Sequence, residues 1–292
     1  MNIFTKAPFQ PVAFYYQLCY SEVYNLPKTQ IGDDRIMVKK WKVTFPAPTG
    51  PELRQAYVYL PDSYDENPDK RYPVLYMFDG HNLFSDEEAS YGKSWGLKDY
   101  MDQTGTDLII AAVECNHHPD FGRLKEYAPF DYDDPVAGPI TGYGKVTMDW
   151  YVKKFKREID RRYRTLPDRR HTFISGSSMG GLMSLYALTQ YNQYFSGAAA
   201  LSPSLWTHPE LIEEMIRTSW LKPNTRLYMD YGSIEMKNHQ GMNRLFQRVT
   251  SLFLMKRVFL TSRVVPYGDH TEACWEKQIP YFMSTLLYDD ED

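Results

Sequence analysis

The sequence predicts an α/β domain built on one mostly parallel sheet of about eight strands, covered by helices on both faces as a single three-layer unit. Three observations carry this. Residues 74–78, 107–113 and 197–201 are short, almost continuously apolar runs, the pattern of strands buried on both sides. Helical-period segments alternate with such runs through the second half of the chain. Two period-2 segments come first, as an antiparallel hairpin leading into strand-helix alternation would require.

Taken in order, residues 1–33 mix aromatics with prolines and are expected to wrap the surface. Residues 35–45 place Met37, Lys39, Trp41, Val43 and Phe45 on one face of a strand, and residues 54–60 form a second strand after a Pro- and Gly-rich turn. The 74–78 strand follows, then a short helix over 95–102 and the strand at 107–113. Residues 116–145 are rich in Pro, Gly, Asp and Tyr and show no period, so a cap-like insertion over the site is expected. An amphipathic helix spans 146–164, with Tyr151, Phe155 and Ile159 inward and its Lys and Arg residues solvated. After the strand at 172–175 come a helix at 182–191, a strand at 197–201 and a helix at 209–218. A strand at 226–231, a helix at 242–255 and a strand at 257–265 follow, then a closing helix at 274–288 that bends or restarts near Pro280. No repeat and no second domain boundary is evident over 1–292.

The junction between the 172–175 strand and its helix reads Gly176-Ser177-Ser178-Met179-Gly180. This is the nucleophile-elbow pattern, in which a sharp strand-to-helix turn lifts a serine hydroxyl clear of both elements. At Gly and Ser frequencies of about 7%, a chain of this length shows the bare pattern by chance roughly one time in ten, so its context decides. The central Ser178 is the candidate nucleophile, and Ser177 is expected to face the sheet as a small spacer.

A serine hydroxyl attacks only when a base takes its proton and a carboxylate orients that base. In sheets of this kind the chain order is Ser, then Asp or Glu, then His, on loops at the carboxyl ends of strands. Of the seven histidines, His270 alone follows the last strand in a Gly-containing turn before a helix. It is the expected base. Glu235, in the Gly232-Ser233-Ile234-Glu235 loop, is the expected acid, with Asp230 as its competitor; Asp269 is expected to point away. An oxyanion hole needs two backbone N–H groups. Met179 is expected to supply one. The loop Asp79-Gly80-His81-Asn82-Leu83-Phe84 is expected to supply the other, from His81 first or Asn82 second, with the His81 imidazole not itself catalytic.

Several segments together resemble a known group. Arg123-x-x-Glu126-Tyr127-x-Pro129, the helix from Val146, the elbow, Leu201-Ser202-Pro203-Ser204-Leu205-Trp206, Gly232-Ser233-Ile234-Glu235 and Gly268-x-His270 with Trp275 are similar to the putative-esterase family of α/β-hydrolases. That family includes enterochelin-type siderophore esterases, S-formylglutathione hydrolases, feruloyl and acetyl xylan esterases, and mycolyltransferases. The resemblance runs from about Val58 to the C-terminus and implies the α/β-hydrolase fold with a Ser-Glu-His assignment; the family often has Asp where Glu235 stands. Asp79 to Phe84 is similar to an Asp-Gly-x-Asn-Leu-Phe loop of one bacterial branch.

The expected activity is hydrolysis of a small-molecule carboxylic ester with a short-chain or aromatic acyl group through an acyl-enzyme. Asn82, Leu205 and Trp206 are candidate substrate contacts, and no metal or cofactor is expected. Acyl transfer to an alcohol on the same residues, or a catalytically silent binding role, are the alternatives. A net charge of −4 and a pI of about 6.0 offer no basic footprint for nucleic acid. Cys19, Cys115 and Cys274 are too few and too scattered for a disulfide framework and suggest a reducing compartment with inert thiols. Neither a signal peptide nor an apolar run of roughly 20 residues is read, so a cytoplasmic protein off the membrane is expected. Oligomeric state is not legible.

Overall fold

The computed structural model describes residues 38–235 and 239–288. The expected surface-wrapping segment 1–33, Cys19 and the side chain of His239 lie outside them.

The hairpin comes first: β1 (Val38–Ala47) pairs antiparallel with β2 (Gly50–Tyr59) through the short Pro48-Thr49 turn. A helical turn α1 (Ser63–Glu66) leads to β3 (Val74–Met77), then α2 (Leu97–Thr104) and β4 (Ile109–Val113). The 116–145 stretch, which has no sequence period, contains α3 (Gly122–Glu126) and a small hairpin of β5 (Tyr132–Asp134) and β6 (Gly138–Ile140). The single helix expected over 146–164 is α4 (Gly144–Trp150), one π-helical turn (Tyr151–Phe155) and α5 (Lys156–Arg162). Next come β7 (Thr172–Ser177), α6 (Met179–Gln190), β8 (Gly197–Leu201), α7 (Pro209–Thr218), β9 (Arg226–Gly232), α8 (His239–Met255) and β10 (Phe259–Val265). The closing helix divides into α9 (Glu272–Glu276) and α10 (Ile279–Leu286), with Pro280 in the first turn of the second, where its missing N–H costs nothing.

The eight-stranded sheet runs β1-β2-β4-β3-β7-β8-β9-β10, parallel from β4 onward. Its central strands are buried on both faces, so their alternate residues feed two separate cores. Val74 and Tyr76 of β3, Ile174 of β7 and Ala198 of β8 join Phe155, Leu185, Ile212 and Val249 from α4–α8 and the π turn on one face. Leu75, Met77, Phe173 and Ala199 join Leu97, Met101, Trp275 and Phe282 from α2, α9 and α10 on the other. This is the three-layer arrangement expected from the sequence. It brings the loops after β3, β4, β7, β8, β9 and β10 to one end of the sheet.

Candidate active site

Ser178 joins β7 to α6 with φ 58° and ψ −122°, a region that an L-residue enters at a cost of order 1–3 kcal/mol. The surroundings hold it there. Its N–H donates to Leu201 O (2.9 Å), its carbonyl accepts from Leu182 N (3.0 Å) and Ser204 N (3.1 Å), and its hydroxyl lies 3.4 Å from Ser204 Oγ. The strand and helix also touch backbone to backbone. A Cβ on Gly176 would stand 2.8 Å from the Gly180 carbonyl carbon, so neither a larger residue nor a gentler turn fits. Ser177 is buried in the sheet, paired with Leu201, and Ser178 is half-buried.

Glu235 follows β9 and His270 follows β10, and these parallel neighbours bring the two residues together. His270 Nδ1 bonds Glu235 Oε2, while Glu235 Oε1 accepts the Gly232 amide. The two loops interlock because neither glycine carries a side chain. A Cβ on Gly232 would stand 2.3 Å from Gly268 O, and Ile234 N donates to that same oxygen at 3.0 Å. The His270 ring packs edge-on against Trp275 (centroids 5.0 Å apart, planes at 82°). Among the described residues no hydrogen bond joins Ser178 to His270. Such contacts commonly tighten only when substrate is bound.

Asp230, the competing acid, points elsewhere. Its Oδ1 accepts Ser202 N (3.1 Å), its Oδ2 accepts the Tyr228 hydroxyl (2.7 Å), and burial pushes its carboxyl up to about 7. It fixes the turn at Ser202 (φ 43°), whose hydroxyl accepts Trp275 Nε1 at 3.0 Å. Asp230, Ser202, Trp275 and His270 thus form one contact chain that the sequence does not display. Asp269 accepts the Thr271 hydroxyl (2.7 Å) and bonds neither Glu235 nor His270.

The loop after β3 begins at Asp79 in the left-handed region (φ 56°) and continues as a tight turn over Gly80–Asn82. Asn82 N is already committed to Asp79 O at 2.8 Å, and the Asn82 side chain accepts Ser90 N at 2.9 Å. Asp79 takes both ends of the Arg123 guanidinium (2.7 and 2.8 Å). Burial pushes the Asp79 carboxyl up, but the Arg123 charge and hydrogen bonds outweigh it and hold the group below its ordinary value. Glu126, one turn further along α3, is buried and receives Arg54 (2.7 and 3.1 Å) and Asn116 (2.8 Å). The Arg-x-x-Glu spacing thus ties the cap to the loops after β3 and β4, and the pairing with Asp79 has no local sequence signal because 44 residues separate the partners. Leu205 has no exposed surface and belongs to the main core, whereas Trp206 is 39% exposed and meets Tyr132 of the cap hairpin edge-on at 6.2 Å.

No described helix is long and apolar enough to cross a membrane. The profile of the family described as "Putative esterase" matches residues 50–284. The uncharacterized protein YbbA of Bacillus subtilis (strain 168) is 26% identical over 195 residues, which are 65% of this chain and 72% of that protein. The siderophore triacetylfusarinine C esterase of Aspergillus fumigatus is 28% identical over 138 residues, 46% of this chain and 44% of that enzyme. Among solved structures, the BES protein from Bacillus cereus superposes with a TM-score of 0.66 at 19% identity, covering 90% of this chain and 99% of that one. A match over residues 50–284, on an eight-stranded sheet with a strained serine between β7 and α6, makes this chain a member of the putative-esterase family, a carboxylic-ester hydrolase with the α/β-hydrolase fold.

Proposed function

We propose that the chain hydrolyses small carboxylic esters through an acyl-enzyme on Ser178. Ser178 Oγ attacks the acyl carbon, His270 accepts the hydroxyl proton and passes it to the leaving alcohol, and Glu235 holds His270 in the required tautomer. Water then deacylates the enzyme through the same His270. The developing oxyanion is met by the backbone N–H groups of Met179 and His81. That Asn82 N is bonded to Asp79 O favours His81 for the second donor. The observation that carries the reading is Ser178 held at φ 58° on the strand-helix junction, backbone strain of the kind that clusters at active sites.

For the acyl group we assign a short chain or an aromatic ring. The partly exposed Trp206 with Tyr132 supports an aromatic wall, Leu205 backs it from the core, and Asn82 shapes the opposite loop. The free, buried thiols of Cys115 and Cys274 fit a reducing compartment.

The test is Ser178→Ala assayed against aryl esters from acetate to octanoate and a feruloyl ester, beside fluorophosphonate labelling of the unaltered chain. Loss of about 10⁴-fold or more in kcat/KM and labelling at Ser178 are expected. Turnover that survives in Ser178→Ala refutes the mechanism.

A further inference from the structure

We propose that His81, Cys115 and His117 form a binding site for one zinc-class divalent cation, beside the 79–82 loop and outside the hydrolytic steps. Strands β3 and β4 are parallel neighbours, with Met77 opposite Ala112, so the residues that follow them converge at one end of the sheet. One ring nitrogen of each histidine and the Cys115 Sγ lie within 4.8 Å of one another. The two imidazoles meet edge-on, 4.7 Å between centroids.

The state of His81 points to a ligand. The residue is only 6% exposed. Its Nε2 is engaged with Ser90 Oγ at 2.9 Å, and its Nδ1 is buried with no hydrogen-bond partner. Donation of Nε2–H to Ser90 leaves a bare lone pair on Nδ1, and an orphaned buried polar atom of this kind costs about 1–3 kcal/mol. A metal ion would satisfy it. A second hydrogen bond that locks the tautomer of a ligating imidazole is also how metal-binding histidines are held.

The donor set selects the metal class. Two imidazoles and a thiolate suit Zn²⁺ and Co²⁺, whereas Mg²⁺ and Ca²⁺ demand oxygen donors. Two carboxylates act on Cys115, and both are already paired: Asp79, which the thiol hydrogen-bonds, with Arg123, and Glu126 with Arg54. Zinc bonds of about 2.0–2.3 Å place tetrahedral ligands roughly 3.5 Å apart, so donors within 4.8 Å of one another close by roughly 1 Å at most. His117 is exposed and can turn inward to do this, leaving the fourth position to water. On binding, the Cys115 S–H bond is replaced by S–metal and the proton passes to solvent.

The test uses the full chain, freed of metal by chelation and titrated with Co²⁺ and then Zn²⁺. One equivalent of Co²⁺ should produce thiolate-to-cobalt charge-transfer absorption and the intense d–d bands of tetrahedral coordination, and Zn²⁺ should abolish both by displacement. At a hundredfold excess over its Kd, Zn²⁺ should raise the thermal midpoint by roughly 5 °C. Cys115→Ser should lose the charge-transfer band, His117→Gln should weaken Co²⁺ binding about tenfold or more, and Cys274→Ser should change neither. Absence of saturable one-equivalent binding, a six-coordinate spectrum, or a band that survives in Cys115→Ser overturns the site. If Cys115→Ser does not fold, the exposed His117 decides, and unaltered affinity in His117→Gln overturns it. None of these readouts depends on ester hydrolysis.

Discussion

Glu235→Gln and Asp230→Asn separate the two carboxylates near the end of β9, and each makes a different demand on the protein. In Glu235→Gln the oxygen that bonds His270 Nδ1 is exchanged for an amide with the wrong tautomeric preference, while the Gly232 amide keeps an acceptor. Neutralising an acid in this role costs about 10⁴-fold in kcat, or roughly 5.5 kcal/mol of transition-state stabilisation. Asp230→Asn leaves an oxygen for Ser202 N and an amide N–H for the Tyr228 hydroxyl, so kcat should stay within about tenfold. Its effect should appear in stability. A folded value of about 7 against an ordinary 3.8 corresponds to roughly 4 kcal/mol at 1.36 kcal/mol per pH unit. The native state holds this proton where the unfolded chain has released it. The contribution is therefore complete below about pH 4, declines as pH rises and is gone above about pH 7. Asp230→Asn removes that decline. The variant should match the wild type near pH 4 and exceed it by up to roughly 4 kcal/mol at pH 8. Urea unfolding at pH 4, 6 and 8, with initial rates on an aryl acetate, measures both effects. If Glu235→Gln keeps wild-type kcat while Asp230→Asn loses three decades, the assignment of the acid is wrong.

Arg123→Met strands the buried Asp79 carboxylate and should cost about 3–5 kcal/mol, read as a lower urea midpoint that Asp79→Asn partly restores in the double variant. An Arg123→Met midpoint equal to wild type would show that the pair is not carrying the loop. Gly176→Ala drives a methyl to 2.8 Å from the Gly180 backbone and should destabilise by about 1–3 kcal/mol in a thermal melt, with an unchanged midpoint counting against the close approach. Trp206→Ala should lower kcat/KM for a feruloyl ester about tenfold, a 1.4 kcal/mol effect, and leave acetate hydrolysis near wild type. Equal losses on both esters would place Trp206 outside the acyl pocket.

The order of elements, the buried strands and the Ser178 elbow were legible along the chain because each is a local pattern: period, turn chemistry and small residues at fixed spacing. Residues 197–201 and 209–218 matched their strand and helix to the residue, for burial on both sides and an amphipathic stripe leave little choice. The cap was less legible. Its β5–β6 hairpin is too short for a period to emerge, and α3 owes its place to Arg123 and Glu126 reaching Asp79 and Arg54 rather than to any stripe of its own.

By itself the sequence determined that a strained serine would sit at a strand-helix junction with an acid and a histidine after later strands, since Gly176, Ser178 and Gly180 are a local pattern for that turn, which Leu201 and Ser204 then hold from the neighbouring strand and its loop. Which carboxylate meets His270 was decided in three dimensions. Glu235 and Asp230 are five residues apart: the interlocking of Gly232 with Gly268 sets the Glu235 loop against His270, while Asp230, still within β9 and opposite Leu201, lies under Ser202. The convergence of His81 with Cys115 and His117 likewise exists only because β3 and β4 lie side by side. Local chemistry specifies turns and faces; contacts between residues far apart in the chain arise from sheet register, which no single stretch encodes.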